Sequence, residues 1–534
     1  MKDADTTVGN PDDALDARTA IHDSVEVKLL TRRFDWIVAG AIVAIFFLFY
    51  FATSYRWAFP GQSAHLLALL TGAKPNTMFE HYLWQNVYGG VIALAGTGSA
   101  VEAATILGMV FSSLSLGLAY LTTTALYVLL IDKTPLKLQA QAGAFHSAFA
   151  ARFGGMVTTL ALAFSAPFWV AASRVNFYAI YLFWMLVCAY LMLRFMANGS
   201  LPLLFTTALL YGMGMSQSAT MILFSPAFVG MAFMGLLRAN KLNYLNAALV
   251  SALAVVGWVA LFLVSLYGFE GTRGYALMEF WGETQLGMSM LRSLFAGVLH
   301  SLPRSGWLII LGLVSLPWIA WLIVSFRTLN GESGPALTAL DLAILVVTLV
   351  VVLDSRVSPW QFFGFLPEQV VLYTMAAMSL GYCFTAAYMR TVCLLSSRTE
   401  HPWLVAAGKA TRIALVAAAG VLIAYEVGIG YVHAETRNTR FIHVYVDRLL
   451  DNLKGRTWLV TDGVFDDMLL LRAAERGMEL NLIDLANASS AVQKKLMKEK
   501  LDSARLKNSL DIGALSFLQE WIESDPKVTR KLAF

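Results

Sequence analysis

The sequence predicts a polytopic α-helical membrane protein of about eleven spans that ends in a small extracytoplasmic α/β block. Two observations carry that expectation. Apolar residues make up 58% of the 534-residue chain and charged residues only 14%, a balance that leaves too little polar surface for a water-soluble domain of this size. Apolar runs of roughly 20 residues, the length a bilayer demands, recur along the chain with basic residues at alternate ends. The net charge of +4 is small, and with no basic stripe it gives no reason to expect nucleic acid as a partner. Cys188, Cys383 and Cys393 all fall in apolar runs without C-x-x-C spacing, and read as small buried hydrophobes. No cluster has the spacing of zinc ligands.

Residues 1–34 form a polar tail of mixed charge, too long and too acidic for a signal peptide. Lys28, Arg32 and Arg33 precede the first apolar run, which places the N-terminus in the cytoplasm. The membrane domain is expected over residues 35–432, with spans at Trp36–Thr53, Val101–Ile131, Phe153–Ala172, Phe177–Phe195, Leu203–Met215, Ala219–Leu237, Leu245–Phe269, Trp307–Phe326, Ala339–Leu353, Val370–Leu395 and Ile413–Val432. Lys133 and Lys137, Arg194, Arg238 and Lys241, Arg327, and Arg398 with Lys409 and Arg412 mark the inner ends. An odd span count puts residues 433–534 outside. There, RTWLVTDG at 456–463 reads as a strand and turn, Phe465–Arg476 as a helix stopped by Gly477, and Met478–Leu485 as a second strand. Helices follow near Ala491–Leu506 and Gly513–Glu523, in a block without G-x-G-x-x-G.

Two outer loops are long, at 54–100 and 270–305. The first spends more than thirty residues where a few would turn the chain, with Pro60, Gly61, Gly72 and Pro75 as breakers. Its apolar pieces, Leu66–Leu70 and Tyr82–Leu94, are too short to span and read as helices at the interface. Tyr55, Trp57, Tyr82, Trp84 and Tyr88 supply the aromatic anchors.

Within this loop, F-P-G-Q-S-A-H-L-L-A-L-L-T-G-A-K-P followed by H-Y-L-W resembles the first loop of the bacterial family catalogued as domain of unknown function 2723. The segments S-A-P-F-W-V-A-A-S-R-V-N-F-Y and Y-G-M-G-M-S-Q-S-A-T-M-I-L-F-S-P fit the same pattern. That family is similar to protein O-mannosyltransferases and other GT-C membrane glycosyltransferases. The resemblance implies a GT-C-like fold in the bacterial inner membrane. It also implies transfer of a sugar from a polyprenyl-phosphate donor to a protein, glycan or lipid acceptor, on the outer face. The alternative of another class is a non-catalytic, transport or assembly protein of the same architecture that handles lipid-linked sugars.

The family places acidic residues in the first loop in a D-S-G-E-like pattern, whereas the matching positions here are Gln62 and His65. Asn176 stands in the third-to-fourth turn and Gln217 in the fifth-to-sixth. An inverting transfer needs a base for the acceptor proton, and neither Gln nor Asn can serve. The catalytic candidates are therefore Glu80, which could also hold a divalent cation, and His65, three residues after Gln62 on the same helical face. Gln62, His81, Asn176 and Gln217 are expected to bind substrate. A lipid-phosphate leaving group calls for outward arginines, and Arg174, Arg273, Arg292, Arg304 and Arg356 map to that side, as does Arg56. The plainer reading of each is a solvated interfacial side chain or a partner for a nearby carboxylate. Glu102 and Glu426 sit near the outer ends of their spans and are given no role.

Overall fold

The computed structural model describes residues 33–54, 57–75, 81–132, 136–218, 221, 224–268, 334–353, 358–363, 369–396, 402–434, 440–486, 491–501 and 503–533. Its helices in chain order are α1 (Arg33–Thr53), α2 (Gln62–Leu70), α3 (Tyr82–Ala95), α4 (Ala100–Asp132), α5 (Leu136–Phe164), α6 (Ala166–Ser173), α7 (Tyr178–Asn198), α8 (Leu201–Met215), α9 (Ser225–Arg238), α10 (Tyr244–Gly268), α11 (Gly334–Val352), α12 (Pro359–Phe363), α13 (Gln369–Ser396), α14 (Pro402–Ala434), α15 (Arg440–Asn452), α16 (Asp466–Glu475), α17 (Ala491–Glu499), α18 (Ala504–Ile512) and α19 (Ala514–Ser524). Three short strands, β1 (Trp458–Thr461), β2 (Asn481–Asp484) and β3 (Leu532–Ala533), lie in the C-terminal block.

Seven helices among the described residues, α1, α4, α5, α7, α10, α13 and α14, are long and apolar enough to cross a membrane. Helices α8, α9 and α11 are apolar but shorter. The protein is thus a multi-pass helical membrane protein. The expected span at Trp307–Phe326 lies outside the described residues. The third span departs from expectation: α5 ends at Phe164 and the chain restarts as α6. Pro167 in the first turn of α6 is the cause, since a proline there removes a donor and clashes with the preceding turn. The last span starts earlier than expected, and α14 carries Lys409 and Arg412 inside its own helix.

Helices α4 and α13 are mostly buried, whereas α1, α10 and α14 present most of their surface outward. Helix α4 packs against α1, α5 and α7, and α5 packs in turn on α13. The α5–α13 crossing is close because both helices offer glycine there. A Cβ on Gly154 would overlap Thr385 Oγ1 and lie 2.6 Å from the Gly381 carbonyl oxygen. Tyr127 bridges the same crossing, its hydroxyl 2.8 Å from Thr158 Oγ1 and donating to the Met378 carbonyl at 2.5 Å.

Two buried aspartates in the membrane domain are paired with arginines, as a low-dielectric surrounding favours. Asp35 is 1% exposed and accepts from Arg152 through Nε at 2.6 Å and Nη2 at 3.2 Å. Asp341, also buried, accepts from Tyr382 at 2.9 Å and from Arg390.

The strands form one parallel sheet in the order β2-β1-β3, with Trp458 opposite Asn481 on one side and Leu532 on the other. Helix α16 makes the crossover between β1 and β2, as the strand–helix–strand pattern predicts. Helix α15 carries no such expectation. It connects α14 to the sheet and buries Val446 and Leu450. The predicted helix at Ala491–Leu506 is two, α17 and α18, with a break at 500–503.

Gly154→Leu is expected to lower the melting temperature of the detergent-solubilised protein, by overpacking the α5–α13 crossing at a cost of about 1–3 kcal/mol. Gly420→Leu on α14, where a Cβ meets nothing within 4 Å, is the control. Equal melting temperatures for the two variants would show that the crossing is not tight.

Candidate functional site

Breakers place the first-loop helix. Gly61 adopts φ 83, which a residue with a Cβ rarely takes, and α2 starts at the next residue. Ser63, Ala64, Leu66, Leu67, Ala68 and Leu69 are all buried. Nine residues span only about 14 Å, so this helix cannot hide its apolar surface by crossing the bilayer. It packs instead against α16 of the C-terminal block and against α3. Leu66, Leu67, Met468, Leu469, Trp84 and Tyr88 belong to one core.

That docking fixes His65 on the polar edge of α2. Its Nδ1 lies 3.1 Å from Oδ2 of Asp467, in the first turn of α16. Lys74 donates to Oδ1 of the same carboxylate at 3.1 Å, and its Nζ is 3.2 Å from His65 Nδ1. Lys74 is placed by the turn that closes α2, where Gly72 has φ 75 and Lys74 N donates to Ala68 O at 3.0 Å. The three side chains keep 21–28% of their surface exposed, so the ionic contact itself contributes about 1 kcal/mol or less. Nδ1 of His65 thus faces both an acceptor, the Asp467 carboxylate, and a donor, the Lys74 ammonium. Burial works against the charge on Asp467, but the His65 hydrogen bond and the Lys74 charge outweigh it and hold this carboxyl below the usual range. Its neighbour Asp466 goes the other way. Burial, then the charges of Asp484 and Asp467, push it up to about 6, with Thr461 and Lys74 opposing.

A second group joins the first loop to the membrane helices. His81 caps α3, and its Nδ1 contacts the Tyr181 hydroxyl and lies 3.1 Å from the Gln217 carbonyl oxygen. Its ring lies 5.2 Å from that of Phe177 and 5.4 Å from that of Tyr181. Desolvation in this aromatic setting lowers its pKa to about 4, against the raising effect of the Gln217 carbonyl. The imidazole is therefore neutral at pH 7. Gln217 is buried, accepts from the Leu83 backbone at 3.0 Å and lies 3.4 Å from Ser265 Oγ.

The third group lies in the turn between α6 and α7. Asn176 is 3% exposed. Its Oδ1 accepts from the backbone of Tyr178 and Ala179 at 2.9 and 3.3 Å, and its Nδ2 donates to the carbonyls of Ala171 and, at 2.9 Å, Arg174. This is a helix-start arrangement that asparagine supplies well. Tyr88 donates to the Asn176 carbonyl at 3.0 Å, which ties α3 to the turn. The Arg174 guanidinium stacks 3.5 Å above the Phe59 ring, just before α2. Gln62, at the start of α2, has its Oε1 buried without a hydrogen-bond partner.

The structure thus brings His81 and Gln217 into contact and sets Arg174 and Asn176 together in one turn. It holds His65 against a different partner set. Glu80, Arg273, Arg292, Arg304 and Arg356 lie outside the described residues, as does Arg56. Among the described residues no group of three or more His, Cys, Asp or Glu side chains has a geometry that could hold a metal. Lys74, Tyr181 and Asp467 escaped sequence reasoning. Asp467 is 402 positions from His65, and an acidic pair at a helix start reads in sequence only as a complement to the helix dipole.

Residues 88–243 match the family model described as the protein O-mannosyl-transferase TMEM260 N-terminal domain. The matched stretch runs from α3 to the start of α10 and contains Arg174, Asn176 and Gln217, while Gln62, His65 and His81 precede it. Among curated proteins none matches the chain.

The neighbouring aspartates predict opposite pH effects. Asp466 holds its proton to about pH 6 in the fold but loses it near pH 4 when unfolded, so its contribution falls as pH rises between those values. Asp466→Asn should therefore gain melting temperature on the wild type from about pH 4 to about pH 7. Asp467 contributes stability above its unfolded pKa and loses it as pH falls through its depressed folded value. Asp467→Asn should melt lower at neutral pH, with a deficit that shrinks in acid. Parallel pH profiles for wild type and both variants would contradict this assignment.

Proposed function

We propose that the protein is an O-mannosyltransferase-like membrane glycosyltransferase that moves a sugar from a polyprenyl-phosphate carrier to a hydroxyl of a protein acceptor, at the membrane face bearing the first loop. The observation that carries the reading is the O-mannosyltransferase family match over residues 88–243. That stretch holds the α6–α7 turn and the α8–α9 turn, two places where hydrogen bonds tie the membrane domain to α3.

In this reading the acceptor oxygen attacks the anomeric carbon, the bond from that carbon to the phosphate oxygen breaks, and polyprenyl phosphate leaves. The acceptor proton passes to a base. His65 is the proposed base: its Nδ1 is held against Asp467, and in the tautomer with Nδ1 protonated Nε2 would take the proton. Glu80 is the rival base, in the same loop. Arg174 stacks on Phe59 of the first loop and would meet the leaving phosphate, with Arg273, Arg292, Arg304 and Arg356 as the proposed remainder of that set. His81, neutral and enclosed, fits a role in shaping the floor of the site better than proton transfer. A GT-C fold, an envelope location in a bacterial inner membrane, an external C-terminal block and a divalent cation at Glu80 belong to the same proposal.

One observation favours the non-catalytic alternative. His81, Asn176 and Gln217 all spend polar atoms on protein partners.

The deciding experiment incubates purified full-length protein with polyprenyl-phosphate mannose and a serine- and threonine-rich peptide. Transfer is expected from the wild type. His65→Ala should lower kcat by roughly 10²–10⁴-fold, the usual worth of a general base. Transfer that survives both His65→Ala and Glu80→Gln would remove the first loop as the source of the base. No transfer by the wild type with any polyprenyl-phosphate sugar would support the non-catalytic reading.

A further inference from the structure

Helices α1 and α5 both pack on α4, and the Arg33 end of α1 is the end remote from the first loop. Between α1 and α5 lies a cleft of about 620 Å³, lined by Phe34, Val38, Tyr120, Phe145, Phe149 and Arg152 among others. That size falls within the range of about 300–1,000 Å³ common for ligand pockets. Phe34 (57% exposed), Phe145 (76%) and Phe149 (40%) leave its sides open toward the lipid.

One polar feature interrupts this aromatic surface. Arg152 reaches across the gap to Asp35 with Nε and Nη2, and Phe34 lies 5.5 Å from its guanidinium carbon. Nη1 has no hydrogen-bond acceptor among the described protein groups, and the side chain keeps 26% of its surface exposed. Asp35 is two residues from the start of α1, so the pair sits at the depth where the hydrocarbon gives way to headgroups. An aromatic trough with a cation at headgroup depth is amphipathic in the same order as a phospholipid. Tail-sized empty space beside a bilayer is also unfavourable, because its lining loses dispersion contacts.

We propose that this cleft binds a glycerophospholipid of the leaflet opposite the first loop. The phosphodiester takes the free edge of the Arg152 guanidinium, and one acyl chain lies along Phe34, Phe145 and Phe149. Asp35 keeps the guanidinium planar to the cleft and lowers the net charge, so the site selects a monoanionic phosphodiester over a more highly charged phosphomonoester. The site is separate from the donor site proposed above, and it stands whether or not the protein transfers sugar.

The test is native mass spectrometry of the full-length protein released from nanodiscs of phosphatidylglycerol, with a second set containing added polyprenyl phosphate. Wild type should retain one phosphatidylglycerol through delipidation. Ala148→Trp, at a lining position one turn before Arg152, should fill the cleft and reduce that retention at least roughly tenfold, a loss of about 1.4 kcal/mol. Phe145→Ala, distant from Asp35, should reduce it several-fold and guards against a folding defect in the first variant. Undiminished retention in both variants would overturn the site. Preferential retention of polyprenyl phosphate in the cleft, lost in Ala148→Trp, would overturn the lipid assignment.

Discussion

The structure depends on where the apolar surface of α2 goes. A nine-residue helix with six buried positions has too much apolar surface to lie free in water and too little length to cross a bilayer. Its partner comes from the far end of the chain. Met468, Leu469 and Leu471 of α16 close over Leu66 and Leu67, and the same core continues through Trp84 and Tyr88 to Phe177 and Tyr181 of the membrane domain. Each fully buried leucine in such a core is worth about 1.5–3 kcal/mol, more than the partly exposed His65–Asp467–Lys74 contact can supply. The apolar docking therefore sets the position, and the charged contact follows from it and fixes the orientation of His65.

The membrane domain solves a related problem with polar groups. Asp35 and Asp341 lie on helices far apart in sequence, yet each meets an arginine and a tyrosine from a neighbouring helix. Such pairs gain little net stability, but removing one partner leaves a buried charge, which costs several kcal/mol. They therefore act as register pins. Asp35 holds α1 to α5, and Asp341 holds α11 to α13. Between these pins the helices meet through glycine and threonine, as at Gly154, Gly381 and Thr385, because lipid offers no hydrophobic drive for association and close approach must supply the contact.

These two regimes explain what the sequence made legible. Span positions follow from hydropathy, since backbone groups in hydrocarbon have no solution other than a helix, and α1, α4, α7, α10 and α13 lie within a few residues of expectation. The break at Ser165 was written in Pro167 but masked by the apolar run on both sides. The interfacial helices α2 and α3 were legible from length and breakers, and β1, α16 and β2 from their alternating pattern. What covers α2 was not legible, because a contact across 402 positions leaves no local periodicity. For the same reason the candidate site was readable as a loop and not as an arrangement. The loop nominated His65 and His81 together, yet α2 sends one to the C-terminal block and α3 sends the other to Tyr181 and Gln217.

That division has a chemical consequence. His81 lies among aromatic rings that lower its pKa to about 4, so it exchanges protons poorly at neutral pH, whereas His65 is partly exposed and faces a carboxylate held in its charged form. Proton uptake at His81 would place a charge where desolvation opposes it. Among the described residues, only His65 of the two first-loop histidines meets a carboxylate, and that carboxylate belongs to the C-terminal block. The setting of that histidine therefore depends on the docking of α16 on α2, and loosening that contact would remove its carboxylate partner.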